Sequence, residues 1–320
     1  MTNDLAAASA AVTLAAAAVD GAARTLAERS TVDGTLSVAA LDRHQVLAYD
    51  LAHAAAAVEA SRVMVEYGEH GEVESMLARA YVAEAVTDIV SRLVGRETTW
   101  GVNPAVLSPA HDFVAAHRDP AFLERLGEEC AKHGTGPTHL SPEFELVADT
   151  FRRFAEDKVR PVAEHVHRHD ADIPEELISG LAELGGFGLS VPEEYGGFAT
   201  GGEEDYMGMI VATEELARGG LAIGGSLVTR PEILTRALVM GGTEEQKQQW
   251  LPRIATGEIM CGIMVTEPDY GSDVAGVKTT ATRNEQGDWV INGVKTWATF
   301  AGRANVLMLL ARTDPDRSLT

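Results

Sequence analysis

Hydrophobic residues recur at helical spacing throughout the first 140 residues. The run from Leu5 to Val19 is uncharged and mostly alanine, with an apolar stripe that repeats every seven positions. It predicts a soluble helix, because it falls short of the ~20 residues that cross a bilayer. Two further stripes predict helices over about 41–67 and 72–94, each followed by glycine. This part of the chain is therefore predicted to be helical only.

A turn-rich tract from Gly134 to His139 predicts a domain boundary, and a new helix is expected directly after it. Ser141 is the predicted N-cap of that helix, with proline at its first position. Pro161 should kink or end it. Thr243 and Gln246 have capping-box spacing and predict a short helix over 244–253. Other predicted helices cover 174–184, 206–218 and 223–240.

After Gly257 the pattern changes from helical spacing to short apolar and β-branched runs. Asn292-Gly293 is the strongest hairpin signal among them, so an antiparallel sheet is expected. Helices followed by strands indicate an α+β fold class. Three domains are predicted: an extra helical leader (1–138), a second helical domain (139–257) and a β domain (258–320). The predicted strands are 259–265, 277–282, 289–291 and 306–311, with a turn predicted at 284–287.

Composition and charge narrow the function classes. The 320 residues are 45% hydrophobic and 23% charged, which is typical of a folded globular protein. With 26 Lys and Arg against 48 Asp and Glu, the net charge is −22, so nucleic acid is an improbable partner. No membrane partner is expected either. The two cysteines, Cys130 and Cys261, form no paired motif and suggest a reducing, cytoplasmic location.

Common catalytic and ligand motifs are absent from the sequence: there is no GxGxxG, Walker A, GxSxG or HExxH. Among His165, His167 and His169, only the first and last share a helix face, so no metal site is predicted.

The chemistry is concentrated in Met264–Asp273 and Lys295–Thr299. These segments put hydroxyls, backbone amides and Trp297 at strand ends, a combination suited to a planar polar ring that bears a pyrophosphate. A polar turn with Trp297 filling the core is the alternative, and the pattern by itself leaves both open.

These segments resemble the flavin-binding signature of the acyl-CoA dehydrogenase family, through Thr266–Asp273 and the Trp-x-Thr of Trp297 and Thr299. The resemblance covers about residues 141–320. It implies an all-α domain followed by an antiparallel β-barrel, with a C-terminal helical bundle absent from this chain. The leader and the run Ser226–Arg230 are similar to those of the (2S)-methylsuccinyl-CoA dehydrogenases of the ethylmalonyl-CoA pathway. The other matching blocks are 173–177, 191–197, 214–218 and 242–252.

The resemblance implies oxidation of an acyl-CoA thioester to its trans-2-enoyl form, with FAD as acceptor. The narrower expectation is conversion of (2S)-methylsuccinyl-CoA to mesaconyl-CoA, with electrons passed to electron-transfer flavoprotein by a homo-oligomer, a dimer or tetramer. The alternatives are a dehydrogenase or oxidase of other chain specificity, and a non-catalytic flavoprotein subunit if 320 residues is the natural length.

Site residues follow from the resemblance, position by position. The residues along the pyrimidine edge of the flavin would be Ile263, Met264, Val265 and Thr266. The pyrophosphate would be approached by Gly271 and Ser272. The ring face and N5 would be contacted by Trp297, Ala298 and Thr299. Ser272 would also meet CoA, and Arg230 would hold a second substrate carboxylate unless it pairs with Glu232.

Three departures from the family pattern are Met264, Tyr270 and Ala298, and the tyrosine is expected to narrow the approach to the pyrophosphate. The family's catalytic glutamate belongs to the C-terminal bundle, so the catalytic residue is unknown here. Glu214, Glu215 and Glu267 are expected to be structural.

Overall fold

The computed structural model describes residues 3–134, 136–202 and 204–314. The chain folds as two compact units, Met1–His139 and Leu140–Thr320. Residues 315–320 of the predicted β domain lie outside the residues that the structure describes. As predicted for the α+β class, helices precede the main strands, which begin after Ala255.

Unit 1 is a helical bundle in which α1 packs against α3 and α4. The predicted stripe on α1 is confirmed, since Leu5, Val12 and Val19 are all buried, but the helix continues to Ser30. Alanines fill the rest of this face and allow close approach of the neighbouring helices. The helices are α1 (Asn3–Ser30), α2 (Val38–Asp42), α3 (Gln45–Tyr67), α4 (Glu72–Leu93), α5 (Glu97–Trp100), α6 (His111–His117) and α7 (Pro120–His133).

The prediction of helices only is wrong at one place in unit 1. Strands β1 (Thr31–Val32) and β2 (Thr35–Leu36) form a small antiparallel hairpin. Asp33 and Gly34 both have positive φ, of 52° and 79°, as a tight hairpin turn requires. The Asp-Gly dipeptide was the available signal.

Within the described residues, one helix, Asp4–Ser30, is long and apolar enough to cross a membrane. Half of its most apolar window is buried inside the protein, as in the core helix of a globular domain.

The last residues of unit 1 are bound to its helices. The Tyr67 hydroxyl donates to the Pro137 carbonyl at 2.8 Å, and His139 Nε2 lies 2.6 Å from Glu74 Oε1. His139 adopts a φ of 50°, which is unfavourable for a residue with a Cβ. Residues 136–139 therefore belong structurally to unit 1.

Unit 2 begins with α8, whose first residue is Pro142 as predicted. Ser141 occupies the predicted N-cap position, but its side chain makes no capping hydrogen bond. Pro161 lies near the start of α9, and a π turn, Ala155–Val159, precedes it. The wider turn accommodates a residue that has no N–H and would clash with the carbonyl four residues earlier. The helices are α8 (Pro142–Phe154), α9 (Arg160–Arg168), α10 (Glu175–Glu183), α11 (Glu204–Gly220), α12 (Ser226–Gly241) and α13 (Glu244–Ala255).

The capping box of α13 is confirmed. The Gln246 backbone N–H donates to Thr243 Oγ1 at 3.3 Å, and the Thr243 N–H donates to Gln246 Oε1 at 2.9 Å. Two orphan donors at the helix start are thereby satisfied.

The strand pairing follows the prediction in part. β4 and β5 form an antiparallel hairpin through the predicted turn at 284–287. β3 and β6 are parallel, not antiparallel, and the hairpin predicted at Asn292-Gly293 does not form, so these two predictions are wrong. Gly293, at φ 155°, packs on Thr279 instead. The strands are β3 (Cys261–Met264), β4 (Thr280–Arg283), β5 (Trp289–Asn292) and β6 (Val306–Leu309).

Strand β3 separates two hydrophobic clusters. Cys261 and Ile263 pack in one cluster with residues of α12 and α13. Met260, just before the strand, belongs to the other cluster, which contains α8, α10 and α11 residues and is contacted by Phe300. Alternate residues of a strand point to opposite faces, so β3 presents two different surroundings.

Candidate functional site

The two predicted chemical segments meet at the C-terminal end of β3. The Thr296 N–H donates to the Thr266 carbonyl at 2.9 Å. The Lys295 ammonium donates to the Val265 carbonyl at 2.8 Å. The structure therefore brings 263–266 and 296–299 side by side, although about 30 residues separate them in sequence.

A buried ion pair fastens this junction. Lys295 Nζ lies 2.9 Å from Glu267 Oε1, and the side chains are 2% and 5% exposed. The Glu267 carboxylate also accepts the backbone N–H groups of Lys278, at 2.6 Å, and Thr279, at 2.8 Å. Burial opposes ionisation, but these donors and Lys295 outweigh it and lower the Glu267 pKa to about 2. Glu267 is thus structural, as expected, and unsuited to act as a base at neutral pH.

Residues 296–304, which we call the Trp297 loop, carry three predicted flavin contacts: Trp297, Ala298 and Thr299. The Trp297 side chain is 89% exposed, which excludes the alternative in which it fills the core of this unit. Thr296 Oγ1 is buried without a partner in the described structure. A buried hydroxyl without a partner is unusual and indicates a missing hydrogen-bonding group.

The donors available near the loop suit a planar ring with polar edges. The hydroxyls of Thr266 and Thr299 are half-buried and form no hydrogen bond to the described residues. Together with the exposed indole of Trp297, they provide a stacking surface flanked by hydrogen-bonding groups. The residues present therefore fit an isoalloxazine ring.

Ile263, Met264 and Val265 can contribute only in part. The Ile263 side chain packs in the cluster with α12 and α13, and the Val265 carbonyl is taken by Lys295. Met264 is half-buried at the end of β3. Any contact of Ile263 with a ring edge would therefore come from its backbone, as the resemblance implies.

Gly271 and Ser272 lie on an exposed turn next to Thr266. A Cβ on Gly271 would meet no atom within 4 Å, and Ser272 is exposed. The Tyr270 ring packs against Gly276, where an added Cβ would lie 2.4 Å from it, and the Lys278 ammonium is 5.4 Å from its centroid. The Tyr270 ring is thus occupied by Gly276 and Lys278, and the expectation that it narrows the approach to the pyrophosphate stays a prediction.

Arg230 lies on α12, near Cys261 of β3. Its charge acts on the Cys261 thiol, whose pKa burial raises to about 12 against that effect. Thr299 also approaches β3, because a Cβ on Gly262 would lie 3.2 Å from the Thr299 carbonyl oxygen. Arg230 is thus near Cys261 and Thr299 near Gly262, which are adjacent residues of β3.

The alternative in which Arg230 pairs with Glu232 or another acid on the surface is not formed among the described residues. Glu232 pairs with Arg236 at 2.8 Å, whereas Arg230 Nε is buried without a partner among the described residues. Arg230 is therefore available to an anionic group.

The other acids singled out in the sequence are structural or solvent-facing. Glu215 is buried between Arg152, at 2.6 Å, and Arg218, at 2.9 Å. Burial opposes its ionisation, but hydrogen bonds from both arginines lower its pKa. Glu214 lines a shallow surface cavity on α11.

Sequence reasoning missed one polar contact of the Trp297 loop. Arg303 donates to both carboxylate oxygens of Glu175, at 2.6 and 2.9 Å. The two residues are 128 positions apart, and no motif joins them. The one available signal was the position of Glu175 in the first turn of a predicted helix, where an acid is favourable.

Comparison with known proteins gives a consistent family. Residues 141–258 match the model of the acyl-CoA dehydrogenase N-terminal domain, and residues 262–320 match that of its middle domain. (2S)-methylsuccinyl-CoA dehydrogenase of Cereibacter sphaeroides is 37% identical over 307 residues, which is 90% of this chain and 55% of that protein. Glutaryl-CoA dehydrogenase of Desulfococcus multivorans is 34% identical over 177 residues, 55% of this chain and 44% of that protein.

A solved structure agrees with these matches. Butyryl-CoA dehydrogenase from Megasphaera elsdenii is 28% identical and covers 57% of this chain and 47% of its own, with a TM-score of 0.51. The chain spans about half the length of the relatives that it matches.

Proposed function

Because the chain belongs to the acyl-CoA dehydrogenase family, we propose that it is part of an FAD-dependent enzyme that oxidises (2S)-methylsuccinyl-CoA to mesaconyl-CoA. One observation carries the choice of substrate. The similarity to (2S)-methylsuccinyl-CoA dehydrogenase covers 90% of this chain and so must include most of unit 1. The match to glutaryl-CoA dehydrogenase covers only 177 residues.

The residues around the Trp297 loop have defined tasks in this proposal. FAD, when bound, accepts the β-hydrogen of the thioester as hydride. Thr266 and Thr299 offer hydroxyls to the ring edge, and Trp297 covers a ring face. The exposed turn at Gly271 and Ser272 leaves room for the pyrophosphate, and Ser272 is free to meet CoA. Hydrogen bonds to an electron-rich ring are charge-assisted and favour its reduced form.

The base that removes the α-proton is proposed to lie outside residues 1–320. Glu215 and Glu267 are held as carboxylates by arginines and a lysine, respectively, and their lone pairs are engaged. Electron-transfer flavoprotein is the proposed acceptor of the electrons. The dimer or tetramer and the cytoplasmic location stay predictions; both cysteines are free thiols, which supports a reducing compartment.

The test uses the full-length protein with a panel of thioesters and a dye acceptor. We expect FAD to co-purify, and (2S)-methylsuccinyl-CoA to be oxidised with a higher kcat/KM than glutaryl-CoA or butyryl-CoA. Mass spectrometry should identify mesaconyl-CoA. Preference for butyryl-CoA would contradict the substrate, whereas peroxide formation without reduction of electron-transfer flavoprotein would indicate an oxidase. A protein that stays colourless after incubation with FAD would exclude both.

Arg230 is the proposed cation for the second carboxylate, because its buried Nε has no hydrogen-bond partner among the described residues. Arg230→Gln should raise KM for methylsuccinyl-CoA by roughly tenfold or more, the value of a charged hydrogen bond, and leave butyryl-CoA unaffected. Arg236→Gln on the same helix is the matched control, since Arg236 pairs with Glu232. An equal loss with both thioesters would show that Arg230 acts on the fold and not on the carboxylate.

A further inference from the structure

The Trp297 loop has a strained backbone. Trp297 and Phe300 both adopt left-handed conformations, with φ of 58° and 64°. For a residue with a Cβ, this conformation costs ~1–2 kcal/mol. Two such residues within four positions persist only where the surroundings determine the loop conformation.

The ends of the loop are fixed to β3 and to the residue before it. At the entrance, the Thr296 N–H donates to the Thr266 carbonyl. At the exit, the Asn305 N–H donates to the Met260 carbonyl at 2.8 Å. These bonds fix where the loop starts and ends. Inside the loop, the Ala301 N–H donates to the Ala298 carbonyl, and the Arg303 and Ala304 N–H groups donate to the Phe300 carbonyl. These internal bonds shape its turns but do not connect Thr299 to the helices.

The middle of the loop faces a cavity of about 870 Å³ between itself and the helices of unit 2. The cavity is lined by Ala298–Arg303 on the loop side and by parts of α9, α10 and the π turn at 221–225 on the other. Phe300 makes an apolar contact with the helical cluster. In the described part of the chain, the polar link from the loop to the helices is the Arg303–Glu175 pair.

Glu175 is well placed to anchor this link. It is the first residue of α10, where the helix dipole favours a carboxylate, and Arg303 lowers its pKa. Both carboxylate oxygens are bound, so the pair fixes orientation as well as distance. A lysine ammonium in place of Arg303 would bind Glu175 at one point and would fix only the distance between the loop and the helix.

We propose that Arg303 is a positioning residue that, through Glu175, holds the Trp297 loop at a set distance from the helices and so places Thr299 against the flavin. This inference rests on the proposed function, in which the loop forms the flavin wall. Loss of the pair frees the middle of the loop, weakens the hydrogen bond from Thr299 to the ring and makes the bound flavin harder to reduce.

The experiment compares Arg303→Glu, Glu175→Arg and the double exchange in the full-length protein with FAD. Each single variant should weaken FAD binding roughly fivefold, the upper range for a partly exposed pair, and should move the flavin midpoint potential to a more negative value. The double exchange should restore both quantities in large part. Arg303→Lys keeps the charge but not the bidentate geometry. It should therefore retain the FAD affinity of the parent protein more fully than it retains the midpoint potential.

Glu176→Gln is the matched control, because Glu176 is the next residue of α10, is exposed and has no partner among the described residues. Both effects of the single variants should shrink as salt is raised, since the side chains of Arg303 and Glu175 are both exposed, at 44% and 65%. A purely structural role would lower the free energy of unfolding and leave the potential unchanged.

Two failures can be told apart. If the parent protein binds FAD but both single variants keep its affinity and potential, the positioning role is wrong and the proposed function stands. If the parent protein itself binds no FAD, the proposed function fails and this inference fails with it.

Discussion

At the scale of single residues, the Glu267–Lys295 pair dominates the energetics of the candidate site. Glu267→Gln leaves the buried Lys295 ammonium without its counter-ion. Removing one partner of a buried pair costs ~3–5 kcal/mol, so the free energy of unfolding in urea should fall by about that amount. Glu285→Gln, in an exposed turn, is the control and should change little. Equal unfolding curves for the two variants would contradict the structural role.

The same pair gives a pH dependence with a defined sign. The pKa of Glu267 falls from 4.5 to about 2 on folding, so the folded state holds the proton less tightly than the unfolded state. Its contribution to stability is complete above about pH 5 and is lost as the pH falls towards 2. The parent should lose stability faster than Glu267→Gln over this window.

Residue types, but not their exposure, could be predicted at the site. The pattern of hydroxyls and one aromatic indicated the two segments, and the resemblance to the acyl-CoA dehydrogenase family assigned roles to Thr266, Trp297 and Thr299. The structure brings these segments together. The exposure of Trp297 was not predictable, because an aromatic residue between strands usually fills a core. The Arg303–Glu175 contact was also inaccessible, since long-range ion pairs leave no local pattern.

At the scale of elements, the start of α13 permits a clean comparison of capping. Thr243→Ala removes the hydroxyl that accepts the Gln246 N–H and should cost about 1 kcal/mol of stability in urea unfolding. Ser141→Ala is the matched control, because Ser141 occupies the N-cap of α8 without a side-chain bond. The prediction fails if the two substitutions cost the same.

The capping box and the hairpins show which element signals are reliable. A capping box is satisfied within four residues, so sequence spacing was sufficient for α13. Hairpin signals are weaker, because Asp33-Gly34 forms the turn whereas Asn292-Gly293 does not. Gly293 packs closely on Thr279 and is not available for a hairpin turn. The parallel pairing of β3 with β6 depends on residues about 45 positions apart. Such choices are made by tertiary packing.

At the scale of the whole molecule, unit 1 has the properties of an independent folding unit. Its core is formed by its own helices, with Trp100 fully buried, and residues 137 and 139 are bound to Tyr67 and Glu74 of the same unit. A fragment of residues 1–139 should therefore be helical by circular dichroism and unfold cooperatively in urea.

Trp100 allows the folding of this fragment to be followed by fluorescence, because it is the single tryptophan in residues 1–139. Its emission should be blue-shifted in the folded fragment and should shift to the red at the same urea concentration at which the helix signal is lost. Ala8→Leu overfills a position with no exposed surface and should lower the unfolding midpoint by the equivalent of ~1–3 kcal/mol. Ala7→Leu, one residue earlier and exposed, should leave the midpoint nearly unchanged. A fragment with red-shifted emission in the absence of urea would show that unit 1 depends on the rest of the chain for its core.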